Sequence, residues 1–111
     1  MLKKYVIERD VPGVGSSSNG DYREMAEKSN KALEQLGPGI QWNESFITGD
    51  KIYCVYLAEN EDLIREHGRI GGFPVDKVTE VKNIIDPTTA TLGDIKSIPK
   101  DTETEIYDSI L

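Results

Sequence analysis

The sequence predicts one α+β domain of element order βαββαβ, four antiparallel strands with two helices. Three observations carry that expectation. Two extended apolar runs meet at Gly49-Asp50, which is a hairpin signal. A segment of helical period flanks the hairpin on each side, and a strand-like run rich in β-branched residues lies at either end of the set.

Residues 4–11 alternate and are rich in Tyr, Val and Ile, so they read as the first strand. The turn formers Pro12-Gly-Val-Gly-Ser-Ser-Ser-Asn-Gly20 break it. Asp21 is placed to cap the first helix, and Glu24, three residues on, completes a capping-box pattern. Tyr22, Met25, Ala26, Ser29, Ala32, Leu33 and Leu36 then share one helical face. Gly37-Pro38 stops that helix: glycine accepts the terminal conformation and proline cannot continue the ladder.

Residues 40–48 and 51–58 form the hairpin. Its second run is apolar on both faces, with Ile52, Cys54 and Tyr56 on one and Tyr53, Val55 and Leu57 on the other. Such a strand belongs in the middle of a sheet, covered on both sides. Asn60 caps a second helix whose Leu63, Ile64, His67 and Ile70 make one stripe, and Gly71-Gly72 and Pro74 end it. Residues 77–85 read as the last strand, closed by Asp86-Pro87. The order is the split arrangement of ferredoxin-like folds, with both helices on one face of a four-stranded antiparallel sheet. Trp42, Phe46 and Tyr56 cannot all sit in water on the other face. A second copy, sheet facing sheet, covers them, so a homodimer of the α/β-barrel type is expected. Residues 1–87 hold the domain; residues 88–111 form an acidic tail or arm whose apolar cluster is Ile106, Tyr107, Ile110 and Leu111.

A chain of 111 residues suits one core. Its net charge of −7 disfavours nucleic acid and anionic lipid as partners and is compatible with cations or a neutral small molecule. Cys54 is the only cysteine, which leaves no intrachain disulfide and no thiol–zinc cluster. The amino-terminal apolar run is too short for a signal peptide and no run reaches membrane-helix length, so cytoplasm is the expected compartment.

Gly13-Val-Gly15 lacks the spacing of a dinucleotide loop, and no phosphate loop or Gly-x-Ser-x-Gly elbow occurs. Four residues remain as candidate donors. His67, the only imidazole, is either a hydrogen-bonded core residue or a ligand or proton shuttle. Cys54 is a small buried hydrophobe or a soft ligand suited to nickel, copper or zinc. Glu44 shares its strand face with Trp42 and Phe46 and is either solvated at a sheet edge or buried for a purpose. Glu8 sits on a strand expected to be central; facing a second sheet, it must be paired, protonated or bound to a cation. Arg9, Arg65 and Arg69 are available as its ion-pair partners.

Tyr5-Val-Ile-Glu-Arg9 with Pro12-Gly13, Trp42 with Ser45-Phe46, Cys54-Val-Tyr56, Arg65, Gly72, Pro74 and Thr79-Glu80-Val81 together resemble a family of small bacterial proteins. That family is an uncharacterised-domain group labelled nickel-binding. The resemblance implies a dimeric ferredoxin-like fold and a divalent transition metal, nickel first, bound without catalysis. The family pattern often has a histidine where this chain has Glu44, so the metal set is drawn from His67, Glu44, Glu8 and Cys54. The alternative is a cofactor-free enzyme of the same dimeric type, a small monooxygenase or isomerase. Its cavity would be lined by Trp42, Phe46 and Tyr56, with Glu44 or His67 as acid or base. A bare dimerisation module is the third reading. Converging donor atoms favour the metal; a closed apolar cavity beside one perturbed carboxylate or imidazole favours the enzyme.

Overall fold

The computed structural model describes residues 1–91. The late apolar cluster at residues 106–111 lies outside them. The elements are β1 (Lys3–Asp10), α1 (Asn19–Leu36), β2 (Ile40–Ile47), β3 (Lys51–Ala58), α2 (Glu61–Gly71) and β4 (Lys77–Glu80), with a 3-10 turn at Val14–Ser16 before α1. This is the ferredoxin-like order, and the sheet runs β2-β3-β1-β4 with every neighbouring pair antiparallel. The expected central position of β3 and edge position of β2 both hold.

Strand periodicity sorts the side chains. Tyr5, Ile7 and Arg9 of β1 and Ile52, Cys54, Tyr56 and Ala58 of β3 are buried on the inner face, beneath the helices. All of these except Arg9 form the hydrophobic core with Ile40 of β2, Val14 and Ile64 of α2. Val6 and Glu8 of β1, and Tyr53, Val55 and Leu57 of β3, take the outer face.

Three local details differ from the sequence expectation. Helix α1 is capped by Ser18, not Asp21. The Ser18 hydroxyl accepts from the Asp21 amide at 3.1 Å, and the Asp21 carboxylate accepts from the Ser18 amide at 3.0 Å. A serine with an acid three residues on makes the reciprocal box one turn earlier than Asp21 with Glu24 would, and Glu24 instead pairs with Lys28 at the surface. Strand β4 is four residues long rather than nine. It pairs with β1 in the register Tyr5↔Glu80, and β1 begins at Lys3, so the chain beyond Val81 has no strand to bond. Ile84 and Ile85 are exposed accordingly.

The third difference matters most for function. The register between β2 and β3 slips between Trp42, opposite Tyr56, and Glu44, opposite Val55. Asn43 is the extra residue of this bulge, and side chains beyond it change face. Trp42 therefore lies on the inner face, whereas Glu44 and Phe46 lie on the outer one; the shared face expected for the three does not form. Phe46 is 52% exposed.

Candidate functional site

Inner-face alternation on β1 carries Arg9 into the core, where it is only 2% exposed. An arginine is protonated at any ordinary pH, so a charge is buried here. Its Nε donates to Cys54 Sγ at 3.4 Å and its Nη1 to the Pro74 carbonyl at 2.8 Å. The guanidinium lies over the Phe73 ring, 5.4 Å from its centroid, a cation–π contact. Nη2 is buried without a hydrogen-bond partner. Among the described residues no carboxylate forms an ion pair with Arg9; the ion pairs are all on other groups.

The loop that meets Arg9 is held by the end of α2. Gly72 terminates that helix in the left-handed conformation at φ 75°, which glycine adopts without cost. The Phe73 amide then bonds back to the Gly68 carbonyl at 2.8 Å. Gly68 lets the loop lie directly on the helix: a Cβ there would come within 2.6 Å of Val75 Cγ2 and 3.1 Å of the Phe73 oxygen.

His67, on the α2 stripe, is 1% exposed. Its Nε2 meets Ser29 Oγ at 3.0 Å and Tyr56 Oη at 3.5 Å, while Nδ1 is buried without a partner. The ring is tilted 57° against Tyr56 at 5.0 Å and stacks on Phe73 at 5.9 Å. Burial, and then the Arg9 charge, lower its pKa to about 4 against the opposing effect of Ser29. The imidazole is therefore neutral at pH 7. Burial pushes the Tyr56 hydroxyl up, with the Ser29 bond acting against it.

Between α1 and the sheet lies a cavity of about 200 Å³, bordered by Arg9, Met25, Ser29, Trp42, Tyr56 and Phe73 among others. The bulge shapes one wall: it turns Ser45 inward, and Trp42 Nε1 donates to its hydroxyl at 2.9 Å. The Trp42 ring lies nearly parallel to Tyr56, centroids 6.5 Å apart. The cavity expected between sheet and helices is present, with Trp42 and Tyr56 in its wall and Phe46 outside it.

The four candidate metal donors are divided by the sheet. His67 and Cys54 are buried on its inner side. Glu8 is on the outer face between Lys51, at 3.8 Å, and Lys77, at 4.0 Å; these lysines, not the expected arginines, are its partners. Arg65 pairs instead with Glu61, and Arg69 with Glu66. Glu44 is exposed on the outer face of the edge strand β2. Among the described residues no group of three or more His, Cys, Asp or Glu side chains is placed to hold a metal ion. Within the described residues of one chain, the four candidates thus fall into two pairs on opposite sides of the sheet. Arg9 and Ser29 join the inner cluster without having been singled out for chemistry in the sequence. For Arg9 a signal existed: it keeps phase with Tyr5 and Ile7 on the apolar face of a central strand.

The family model described as nickel responsive protein SCO4226-like matches residues 5–81. The crystal structure of SCO4226 from Streptomyces coelicolor A3(2) matches with a TM-score of 0.62 at 12% identity, over 74% of this chain and 99% of that one. At that identity the likeness is one of fold. No curated protein matches this sequence. No helix among the described residues is long and apolar enough to cross a membrane.

Proposed function

Because the chain belongs to the SCO4226-like family of nickel-responsive proteins, we propose that it is a non-catalytic homodimer that takes up a divalent transition metal, nickel first, through residues of two chains. The family match supports the metal. The division of the donors across the sheet is the observation that supports the two-chain requirement. His67 and Cys54 lie beside the Arg9 charge, and a charge that discourages a proton on His67 discourages a dication more strongly. Glu44 and Glu8 stand on the face the helices leave open. With that face against a second copy, each carboxylate gains a counterpart. We assign Glu44 the leading role, because Glu8 already has two lysine partners. Carboxylates select weakly between nickel and harder ions, so modest selectivity follows.

Calorimetric titration of tag-free protein with nickel chloride tests this. Glu44→Gln is expected to weaken binding at least about fivefold, and His67→Ala to leave it within about twofold of the parent. Parent affinity weaker than about millimolar, or a folded His67→Ala variant that loses nickel, overturns the assignment.

The inner cavity favours a second reading, a cofactor-free small-molecule enzyme. There the neutral His67 imidazole, which stands behind the wall and is bonded to Ser29 and near Tyr56, would act as base through those two hydroxyls on a ligand held against Trp42. Glu44 and Phe46 have no place in it, being on the other face of the sheet.

A further inference from the structure

We propose that the cavity between α1 and the sheet binds a small organic carboxylate with a flat apolar body, its negative charge taken by Arg9. The inference names the ligand class of the cavity in the second reading above, and it stands whether or not the bound acid reacts.

Charge argues for an anion. The chain has 20 acidic and 13 basic residues, yet this cavity is lined by Arg9 and by no aspartate or glutamate. A buried guanidinium without a carboxylate is costly unless something satisfies it. Here the carbonyl of Pro74, the sulfur of Cys54 and the face of Phe73 supply partial compensation, the Tyr56 hydroxyl interacts weakly with the guanidinium, and Nη2 has no partner at hydrogen-bond geometry. The planar fork of arginine matches a carboxylate, and a charge-assisted bond of that kind is among the stronger polar contacts. His67 does not add a second positive charge, since it is neutral at pH 7.

The remaining wall sets the body of the ligand. Trp42 and Tyr56 present nearly parallel rings, Met25 contributes a deformable apolar side chain, and the Ser29 hydroxyl is already engaged by His67 and Tyr56. A volume of about 200 Å³ is smaller than the ~300–1,000 Å³ typical of sites for drug-sized molecules, which points to a single-ring acid. A neighbouring groove also touches Arg9 but carries Asp21 and Glu24 against Arg9 and Lys28, so its charges balance, whereas the acid-free side keeps the net positive charge suited to an anion.

The test uses benzoate as probe, with benzamide as its neutral near-isostere, on full-length tag-free protein in the presence of EDTA. Chelation keeps the outcome separate from the nickel proposal. The readout is the indole N–H resonance of Trp42, unambiguous because the chain has one tryptophan. Benzoate is expected to shift that resonance saturably below about 1 mM, with benzamide at least about tenfold weaker. Arg9→Gln should erase the preference for benzoate while leaving benzamide binding in place. Should Arg9→Gln fail to fold, the benzoate–benzamide pair on the parent protein decides alone. Equal affinity for the two probes, or no indole shift at 10 mM benzoate (about tenfold above the expected constant), overturns the proposal.

Discussion

The hydroxyl of Ser29 on α1 meets Nε2 of His67 on α2 at 3.0 Å, a buried polar bond that joins the two helices beneath the sheet. The backbone of Ser29, rather than its hydroxyl, partly offsets the burial and the Arg9 charge that hold His67 near pKa 4. A histidine buried neutral has a direct consequence for stability as a function of pH.

The unfolded chain has an ordinary histidine pKa of about 6.5, while the folded chain protonates only near 4. Between these values the unfolded state binds more protons, so stability falls as pH drops. The loss begins near pH 6.5 and is complete below about pH 4. Of this, about 2 kcal/mol is expected between pH 7 and pH 5, from the linkage relation. Urea unfolding of the parent and of His67→Gln at the two pH values checks it. The parent should lose stability across this window and the variant should not show the His67 part of that loss. Parallel losses in both proteins would show that other groups govern the acid response.

Much of this arrangement was legible in the sequence. The Asn60 cap and the stripe Leu63, Ile64, His67 placed α2 and its buried imidazole correctly, because both signals are local. The two apolar faces of β3 announced a central strand for the same reason. What escaped depends on partners remote in the chain. The Asn43 bulge is a mismatch between β2 and β3, invisible along β2 alone, and it sent Glu44 and Phe46 away from Trp42. The early end of β4 is set by where β1 begins. The metal donors were proposed from residue type, and it is the sheet running between them that separates two from the other two.

Gly68→Ala tests the support under Arg9. Alanine in a helix interior gains up to about 1 kcal/mol of propensity over glycine. Against that, the new methyl would stand 2.6 Å from Val75 Cγ2 and 3.1 Å from the Phe73 carbonyl oxygen. Val75 can rotate; the carbonyl is backbone and carries the loop with it. Overpacking of this kind costs about 1–3 kcal/mol, so even with the full propensity gain a net loss of up to about 2 kcal/mol in urea unfolding is expected. Displacement of Pro74 should also weaken its hydrogen bond to Arg9 and reduce benzoate affinity. A Gly68→Ala protein more stable than the parent would show that the loop moves aside freely.

The outer face of the sheet provides the test of the dimer. Val55 sits in its middle, opposite Val6 on β1 and Glu44 on β2, with Tyr53 and Leu57 on the same side of β3. In a single chain a longer polar side chain at this position reaches water, so Val55→Glu should fold, at a cost of about 1 kcal/mol or less. In a sheet-to-sheet dimer the same substitution buries a carboxylate from each chain, and each lies beside Glu44 of its own strand pair. Unpaired buried charge is far more costly than the valine contact it replaces. Light scattering at about 10 μM (a concentration at which a stable interface stays closed) should give twice the chain mass for the parent and the single-chain mass for Val55→Glu. Circular dichroism should show that both are folded. If nickel is held by two chains, the monomeric variant should also lose nickel binding even though Glu44, Glu8, Cys54 and His67 are all intact. A monomeric parent, or a Val55→Glu protein that remains dimeric, would place the interface elsewhere or remove it.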